Sequence, residues 1–552
     1  MPVAREVMAH ALGKPDEIAV RSPERQLSYA ALADDIEAGA VALRRHDALR
    51  GQDAVRGRDV RGDQIVAVDL AEPADTLAAI LACDLAGVIP LVCDAAWETP
   101  RKAEILDVIR PALHLSTWPP PGAPRPGVPG GGGARASWRR SGADEWGAAA
   151  PHDLAWAGFS SGSTGRPRAI VRTRASWTES YPAAVALSGM DETDSVLVPG
   201  PLASSLFCFA ALHGLATGAR VIATGAWSAR TARDVVWDAD IMHGVPHMID
   251  VMVTELERAS GGGQQDSDAA SGEGVVAGRA ATAGQAAPAG TAGRARRPRM
   301  AMVSGAATPE GLRERAARVG VDVVAYYGAV ELSFVAVDPD GAGMRPFHGV
   351  EIDVRPVDQD SGLGEVWVRS PWVAEGYLAG ASGPFRTDDA GWATVGDLAD
   401  LAPTPAPMIM NTKRLHRSIS VHDHRDVERD IGVGELRLRG RGDGAVLTGG
   451  ATVIPEDVET VLRAVPGISD VAVVGMPHGT LGAVVTAVIE PASESIPRAR
   501  LEEAAREGLA WAQRPRRWFE VDRMPRTSTG KPARAAISAG LASGDRAVRP
   551  LR

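Results

Sequence analysis

The sequence predicts an α/β protein with a large N-terminal domain and a small α+β domain at its C-terminal end. Along residues 1–115, short apolar runs such as QIVAVDL at 64–70 alternate with helical patterns such as 75–86. Strands that alternate with helices form a mostly parallel sheet with helices on its faces. A chain of 552 residues is too long for one hydrophobic core, so we expect at least two domains.

The smaller domain is indicated by a change in sequence pattern after the middle of the chain. It opens with a strand-like run at 435–439. A helix with acidic residues in its first turn and two apolar strand runs follow, at 455–462, 470–475 and 483–489. About one hundred residues is a usual domain size. We therefore predict an N-terminal domain at 1–440 and a C-terminal domain at 441–552.

Three segments interrupt the alternation of strands and helices. Residues 119–133 are rich in Pro and Gly, and residues 259–295 consist mainly of Gly, Ala, Ser and Gln. A segment with almost no large apolar residue cannot offset its ordering entropy, so we predict a disordered insertion at about 259–295. An extra solvated loop is predicted at about 402–433, where three histidines have a spacing unlike that of standard metal sites: His416, His422 and His424.

The composition excludes several classes of protein. Lys plus Arg is 59 and Asp plus Glu is 69, so the net charge is −10 and offers no general attraction for nucleic acid or an anionic membrane. Three cysteines make no disulfide framework. The sequence has no apolar run of about 20 residues and no signal-peptide pattern, so we expect a cytoplasmic enzyme without a membrane span.

A candidate anion-binding loop follows one of the apolar runs. Residues 159–168, FSSGSTGRPR in one-letter code, combine hydroxyl groups, two glycines and two cations. Glycines let backbone N–H groups converge on an anion, hydroxyls add hydrogen bonds, and cations offset phosphate charge. The segment lacks the Gly-Lys-Ser/Thr ending of a P-loop. From these residues alone, a phosphate cradle and an ordinary turn between a strand and a helix both stay open.

This loop resembles the phosphate loop of the AMP-binding (adenylate-forming) superfamily, which reads Y/F-T-S-G-S/T-T-G-x-P-K-G. The departures are Ser160 for Thr, Arg168 for Lys and Ala169 for Gly. Later segments resemble the family's other motifs, in the family's order, over nearly the whole chain outside the three insertions: SGAA at 304–307, YYGAVE at 326–331, GEVWVRSPWVAEGYL at 364–378, GWATVGDL at 391–398, GRGD at 440–443, TGGATVIPEDVE at 448–459 and PRTSTGKPAR at 525–534.

The resemblance implies a site for ATP and Mg²⁺. Tyr327 would stack on the adenine beside Gly328, and Glu331 with Thr164 would hold the Mg²⁺ ion that bridges the phosphates. Glu331, Lys531 and Arg168 would be catalytic, with Lys531 offsetting the charge of the substrate carboxylate and the α-phosphate. The other nucleotide contacts that the family pattern implies come from the phosphate loop and the adenine loop: Ser160, Ser161, Gly162, Ser163, Thr164, Gly165, Gly305 and Ala306.

The resemblance also assigns residues to the sugar, the hinge and the thiol channel. Asp397 would bind the ribose hydroxyls, and Arg441 the ribose or phosphate. Asp443 would be the hinge of a small mobile α+β domain, attached to a large adenylate-forming domain with mixed sheets and flanking helices. A glycine pair would let the pantetheine arm of coenzyme A pass close to the backbone: Gly449 and Gly450.

The family implies a reaction in two steps. A small-molecule carboxylic acid is converted by ATP to acyl-AMP and pyrophosphate, and a thiol then accepts the acyl group. Segment 200–214, where the family builds its acid pocket, is apolar and indicates a fatty or aromatic acid. Coenzyme A is the favoured acceptor and an acyl carrier protein the alternative. Because Arg168 and Val330 depart from the family pattern, an adenylate-binding protein without turnover stays a further alternative.

Overall fold

The fold is given by a computed structural model. It describes residues 3–49, 64–97, 99–120, 150–160, 168–261, 298–309, 311–357, 362–381, 383–400, 436–441, 444, 446–448, 451–478, 482–493, 495–527 and 530–551. The predicted extra loop at 402–433 and most of the segments 119–133 and 259–295 lie outside these residues. The first three residues of the predicted insertion at 259–295 are the last turn of a helix, so its predicted start is too early.

The helices begin and end where local side chains favour it. Ser28 caps one helix, because its side chain accepts a hydrogen bond from the Ala31 N–H at 3.2 Å. Another helix starts at Pro73 and ends before Gly87, whose φ of 79° suits glycine. The helices of the described residues are α1 Ala4–Gly13, α2 Tyr29–Arg45, α3 Pro73–Ala86, α4 Thr99–Ile109, α5 Ala175–Thr178, α6 Tyr181–Ser188, α7 Ser205–Thr217, α8 Ala229–Val235, α9 Pro246–Gly261, α10 Leu312–Arg318, α11 Pro455–Arg463, α12 Arg498–Gly508 and α13 Arg534–Ser543.

The strands of the described residues form four sheets. They are β1 Ile18–Arg21, β2 Gln26–Ser28, β3 Ile65–Val68, β4 Ile89–Val92, β5 Leu113–Leu115, β6 Leu154–Ser160, β7 Arg168–Thr173, β8 Ser195–Val198, β9 Arg220–Ala223, β10 Ile241–Gly244, β11 Met300–Val303, β12 Asp322–Ala329, β13 Ser333–Asp338, β14 Arg345–Pro346, β15 Glu351–Pro356, β16 Leu363–Arg369, β17 Gly376–Tyr377, β18 Arg386–Thr387, β19 Ala393–Thr394, β20 Asp397–Asp400, β21 Leu438–Arg441, β22 Val446–Thr448, β23 Ala451–Val453, β24 Ile468–His478, β25 Gly482–Pro491, β26 Arg517–Glu520 and β27 Arg549–Pro550.

Two of the sheets combine parallel and antiparallel strand pairs. The larger has the order β14-β13-β12-β11-β10-β8-β9-β1-β2, and its strands from β12 to β1 pair in parallel. The second has the order β17-β7-β6-β4-β3-β5, and the candidate phosphate loop connects the antiparallel strands β6 and β7. The predicted α/β class with mixed sheets and flanking helices is thereby confirmed.

The third sheet contains the last strands before the C-terminal part of the chain. Its order is β18-β19-β16-β20-β21, with β15 also on β16. Strand β21 was expected at 435–439 but runs from Leu438 to Arg441, because its partner β20 pairs with that stretch and places Arg441 opposite Asp397. Leu436 instead makes an isolated bridge with Met344.

The last sheet belongs to the C-terminal part. Its order is β23-β22-β25-β26-β27, with β24 on β25, and the helix predicted at 455–462 is α11. The residues Val458, Leu462, Leu501 and Trp518 lie in a hydrophobic cluster separate from the main one. A separate core is what a small domain requires, while the boundary at 440/441 stays a prediction. No helix among the described residues has the length and apolar character to cross a membrane.

Candidate active site

The predicted adenine and ribose residues meet between two sheets. Tyr327 lies in β12 and Asp397 at the start of β20, and the Tyr327 hydroxyl donates a hydrogen bond to Asp397 Oδ2 at 2.6 Å. The pairing of β12 with β13 shifts register after Tyr327. A Cβ at Gly328 would lie 2.2 Å from the Ser333 carbonyl oxygen, so only glycine fits this bulge. The bulge sets the direction in which the chain leaves β12 towards Glu331.

Glu331 is a buried carboxylate, 3% exposed, just beyond the end of β12. The Tyr377 hydroxyl, in β17, donates a hydrogen bond to Glu331 Oε1 at 3.1 Å. Burial and the neighbouring Glu331 carboxylate raise the pKa of Tyr377. The phenol therefore stays protonated at neutral pH and keeps its proton for this hydrogen bond.

A second residue fixes the same turn, and the family motifs did not identify it. Arg172 of β7 is buried, and its guanidinium donates to the main-chain carbonyls of Val330 and Trp372. It also donates to Ser176, through Nε to Oγ at 3.2 Å and through Nη2 to the carbonyl at 3.1 Å. Burial lowers the pKa of Arg172 to about 9, against the attraction of Glu331, so the side chain is a cation at neutral pH.

The sequence did carry a signal for Arg172. The strand reads RAIVRT, and Arg172 follows directly on the three apolar residues 169–171. A fully buried arginine needs several acceptors, and these come from segments distant in sequence. The signal was therefore a charge beside an apolar run, whose partners only the fold could identify.

Lys531 belongs to the C-terminal part of the chain, but its side chain lies against residues of the N-terminal part. Gly305 has a φ of 89°, and a Cβ there would lie 2.9 Å from Lys531 Cε and 3.3 Å from Lys531 Nζ. The same Cβ would lie 3.2 Å from Val245 Cγ1. A Cβ at Gly530 would come within 3.0 Å of Met248 Cε. The loop that carries Lys531 therefore lies directly against the segments after β10 and β11, and the missing side chain at Gly305 makes room for the lysine.

The Lys531 loop is held by hydrogen bonds within the C-terminal part. The Thr527 N–H donates to the Lys531 carbonyl at 2.8 Å, and the Lys531 N–H donates to Thr527 Oγ1 at 3.2 Å. Arg526 donates to the Gly530 carbonyl at 3.0 Å and pairs with Asp470 at 2.6 Å. These hydrogen bonds hold the backbone on both sides of Lys531, so they limit the directions in which its side chain can point.

One arginine connects the two parts of the chain. Arg439 of β21 donates to Asp400 of β20 at 2.7 Å and to Asp457 of α11 at 3.2 Å. Hydrogen bonding to Asp400 raises the pKa of Arg439. The bridge therefore joins the third sheet to the C-terminal part through a permanent cation.

Several predicted site residues are described only in part. Arg168 begins β7 and pairs in register with Ser160 at the end of β6, while Ala306 is exposed beside Gly305. For Ser160 and Arg441 only the backbone is described. The remaining predicted residues lie outside the described part of the chain: Ser161, Gly162, Ser163, Thr164, Gly165, Asp443, Gly449 and Gly450.

Among the described residues, Glu331 is the carboxylate that the family pattern assigns to Mg²⁺, and it accepts a hydrogen bond from Tyr377. Among them there is no group of three or more His, Cys, Asp or Glu side chains that could hold a metal ion. Mg²⁺ is commonly held by one or two carboxylates, with phosphate oxygens and waters as its other ligands. The donor set therefore fits a Mg²⁺ ion that arrives with a nucleotide.

Two family models and several known proteins are similar to this chain in sequence. The family model for AMP-binding enzymes matches residues 7–378, and the model for the AMP-binding enzyme C-terminal domain matches residues 457–531. The uncharacterised acyl-CoA ligase YhfT of Bacillus subtilis is 28% identical over 71% of this chain and 69% of its own length. The long-chain-fatty-acid–CoA ligase FadD13 of Mycobacterium tuberculosis is 23% identical over 68% of this chain and 65% of its own length.

Solved structures share the fold along the whole chain. An anthranilate CoA ligase in complex with anthranoyl-AMP has a TM-score of 0.69 at 17% identity, and 99% of each chain is covered. A benzoate CoA ligase from Burkholderia xenovorans LB400 has a TM-score of 0.69 at 18% identity, with 98% of this chain and 100% of that chain covered. The family model covers more than half of the sequence, and the motif order agrees with it. This chain belongs to the AMP-binding enzyme family.

Proposed function

We propose that this protein is an AMP-forming acid–thiol ligase that activates a fatty or aromatic acid with ATP and passes the acyl group to coenzyme A. The observation that carries the proposal is the contact of Lys531 with the Gly305 loop. It brings a cation from the C-terminal part to the end of the parallel sheet, where ligands of α/β proteins bind. The sequence relatives named above are called acyl-CoA ligases, which supports the choice of acceptor.

In this proposal the protein acts mainly by positioning and by offsetting charge. Tyr327 and Asp397 hold the nucleoside, with Gly328 keeping the bulge open. Lys531 and Arg168 offset the negative charge that accumulates when the substrate carboxylate approaches the α-phosphate. When bound, Mg²⁺ would neutralise phosphate charge, and Glu331 with Thr164 would hold it.

The remaining roles follow the family pattern and are part of the same proposal. The phosphate loop at 160–165 would cradle the phosphates through its backbone N–H groups, and Ala306 would lie beside the adenine. Arg441 would contact the ribose or phosphate from its position opposite Asp397. Asp443 would be the pivot for rotation of the C-terminal domain, and Gly449 and Gly450 would line the path of the thiol.

The direct test is pyrophosphate release with ATP, Mg²⁺ and a panel of fatty and aromatic acids. Release with at least one acid, followed by thioester formation on addition of coenzyme A, is expected. If a thioester forms only with a phosphopantetheinylated carrier protein, that carrier protein and not coenzyme A is the acceptor. Nucleotide binding without pyrophosphate release for any acid would overturn the proposal in favour of an adenylate-binding protein without turnover.

The change Val330→Thr tests whether the missing hydroxyl limits the rate. The Val330 side chain packs against the main hydrophobic core, and its carbonyl accepts from Arg172. A hydroxyl at this position could bond an adenylate phosphate, so we expect pyrophosphate release to rise roughly tenfold, the value of about one hydrogen bond to a charged group. Val330→Ala is the control, since it removes side-chain volume without adding a donor. An unchanged rate in Val330→Thr would mean that another donor already serves the phosphate.

The change Tyr377→Phe tests the role of the hydrogen bond to Glu331. Loss of a hydrogen bond to a charged group is worth about 1.5–3 kcal/mol, so the Mg²⁺ concentration for half-maximal activity should rise roughly tenfold or more. The control is Tyr29→Phe, because the buried Tyr29 hydroxyl donates to the Ala219 carbonyl at 2.9 Å in another part of the fold. An equal effect of both variants on the Mg²⁺ requirement would contradict a specific role for Tyr377.

A further inference from the structure

Two buried histidines have no hydrogen-bond partner among the described residues. His213 lies in α7 and is 1% exposed, and His243 lies in β10 and is 4% exposed. Within the described part of the chain, neither ring nitrogen of either side chain has a hydrogen-bond partner. Buried polar atoms are nearly always paired, so four unpaired ring nitrogens call for an explanation. A ligand with hydrogen-bonding groups would supply the missing partners.

The backbone geometry places His243 on the face of the sheet that α7 covers. A Cβ at the next residue, Gly244, would lie 3.2 Å from Ile249 Cδ1 and 3.3 Å from Met248 Cβ, so that position faces α9. Successive side chains of a strand point to opposite faces, so His243 points away from α9. Helix α7, which carries His213, packs against β8, β9 and β10. The two imidazoles are close enough to influence each other electrostatically.

Aromatic rings lie against His213 on the α7 side. The His213 ring lies 4.9 Å from the Tyr181 ring and 5.5 Å from the Phe209 ring, measured between centroids. Phe209 in turn lies 4.9 Å from Phe334. The Tyr181 hydroxyl is also buried, and no described residue bonds to it. Flat apolar walls with a few unpaired polar atoms are typical of sites for small aromatic molecules.

The pair is also close to the place where Lys531 enters the large part of the chain. His243 lies two residues before Val245, whose side chain meets the Gly305 loop beside Lys531. Two residues of a strand span roughly 7 Å. His243 therefore lies on the strand that leads directly into the segment beside Lys531.

We propose that His213, His243 and the Tyr181 hydroxyl form a specificity subsite for a neutral hydrogen-bonding substituent, a hydroxyl or an amine, on an aromatic carboxylic acid. This inference rests on the proposed function and narrows its substrate class. It also revises the expectation that segment 200–214 contributes only apolar groups, since His213 is part of that segment.

A neutral substituent is favoured over a charged one. Burial lowers the pKa of His213 to about 4, and burial with the neighbouring His213 lowers the pKa of His243 to about 3. Both rings are therefore neutral at pH 7, and each offers one donor and one acceptor. An anionic substituent would lose its hydration here without gaining a counter-charge.

The test compares kcat/KM for pyrophosphate release across three kinds of acid: benzoic acid, its hydroxy- and amino-substituted forms, and straight-chain fatty acids. The wild type should prefer at least one substituted benzoic acid over benzoic acid by tenfold or more. In His213→Leu and His243→Leu this ratio should fall by about tenfold, because only the substituted acid loses a hydrogen-bonding partner. The control is His114→Leu, since His114 lies in the other parallel sheet beside Asp69.

The outcomes separate this inference from the proposed function. Wild-type activity with no preference for a substituted acid, or with a preference for a fatty acid, would overturn the subsite and leave the proposed ligase function intact. So would a preference that both leucine variants retain, since the imidazoles would then bond only water. Absence of pyrophosphate with every acid would overturn both. If a leucine variant does not fold, His213→Phe and His243→Met remove the ring nitrogens with a different change of shape, and an unchanged ratio in both would overturn the subsite.

Discussion

Replacing Lys531 with alanine is expected to lower pyrophosphate release by about 10²–10³-fold, the usual cost of removing one group that stabilises charge in a transition state. Lys531 lies against Gly305, so its ammonium is held where the nucleotide and the acid are proposed to meet. Thioester formation from acyl-AMP supplied to the variant should continue, because that step is proposed to follow rotation of the C-terminal domain. The two half-reactions are measured separately on the same preparation.

Two further variants make this result specific. Lys102→Ala removes another partly buried lysine, which pairs with Asp69 in the second sheet, and should leave both half-reactions unchanged. Gly305→Ala puts a methyl group 2.9 Å from Lys531 Cε and should slow pyrophosphate release without removing the ammonium. Equal loss of both half-reactions in Lys531→Ala would argue against rotation of the domain between them.

Replacing Arg172 with methionine is expected to have the largest effect on stability. The change leaves the carbonyls of Val330, Trp372 and Ser176 without their donor and removes the buried cation near Glu331. We expect the free energy of unfolding to fall by about 3–5 kcal/mol, as for a broken buried ion pair. The Mg²⁺ concentration for half-maximal activity should also rise, because the turn that carries Glu331 loses its anchor. Denaturant unfolding and a Mg²⁺ titration measure the two effects.

The control for Arg172 is an arginine with similar bonds elsewhere. Arg313 donates to the main-chain carbonyls of Val323 and Asp338, and it pairs with the Asp338 carboxylate. Arg313→Met should lower stability but leave the Mg²⁺ requirement unchanged. Arg172→Lys keeps the positive charge but can donate fewer hydrogen bonds. Its loss of stability and its rise in Mg²⁺ requirement should therefore be smaller than those of Arg172→Met. A Mg²⁺ requirement that is the same in Arg172→Met as in wild type would mean that Arg172 supports the fold alone.

Much of the fold could be predicted from the sequence because local patterns determine the elements. The apolar run at 64–70 contains β3, and the helical pattern at 75–86 became the larger part of α3. Boundaries failed where pairing between strands decides the limits, as at β21, and where a helix runs on into a polar segment, as at the end of α9. Periodicity reports which residues are buried, while the limits of an element depend on its neighbours.

The site was predictable only as far as motifs extend. The family resemblance predicts Tyr327 and Asp397 as nucleotide contacts, and the structure joins these two residues, 70 positions apart, by a hydrogen bond. Arg172 was missed because its acceptors are main-chain carbonyls, which carry no signal in the sequence. His213 and His243 were missed for a related reason, since each one alone resembles a histidine in an apolar core. Their lack of partners becomes visible only when the surroundings are known.

Strand β20 has a consequence for the energetics of nucleotide binding. Its first residue, Asp397, is the proposed ribose ligand, and its last, Asp400, anchors the bridge through Arg439 to Asp457 in the C-terminal part. These two ends lie only about 10 Å apart. Any orientation of the C-terminal part that strengthens nucleotide binding must itself be favoured by bound nucleotide, by the same factor. Because Asp397 and Asp400 belong to the same four-residue strand, we expect binding of the ribose and orientation of the C-terminal part to influence each other.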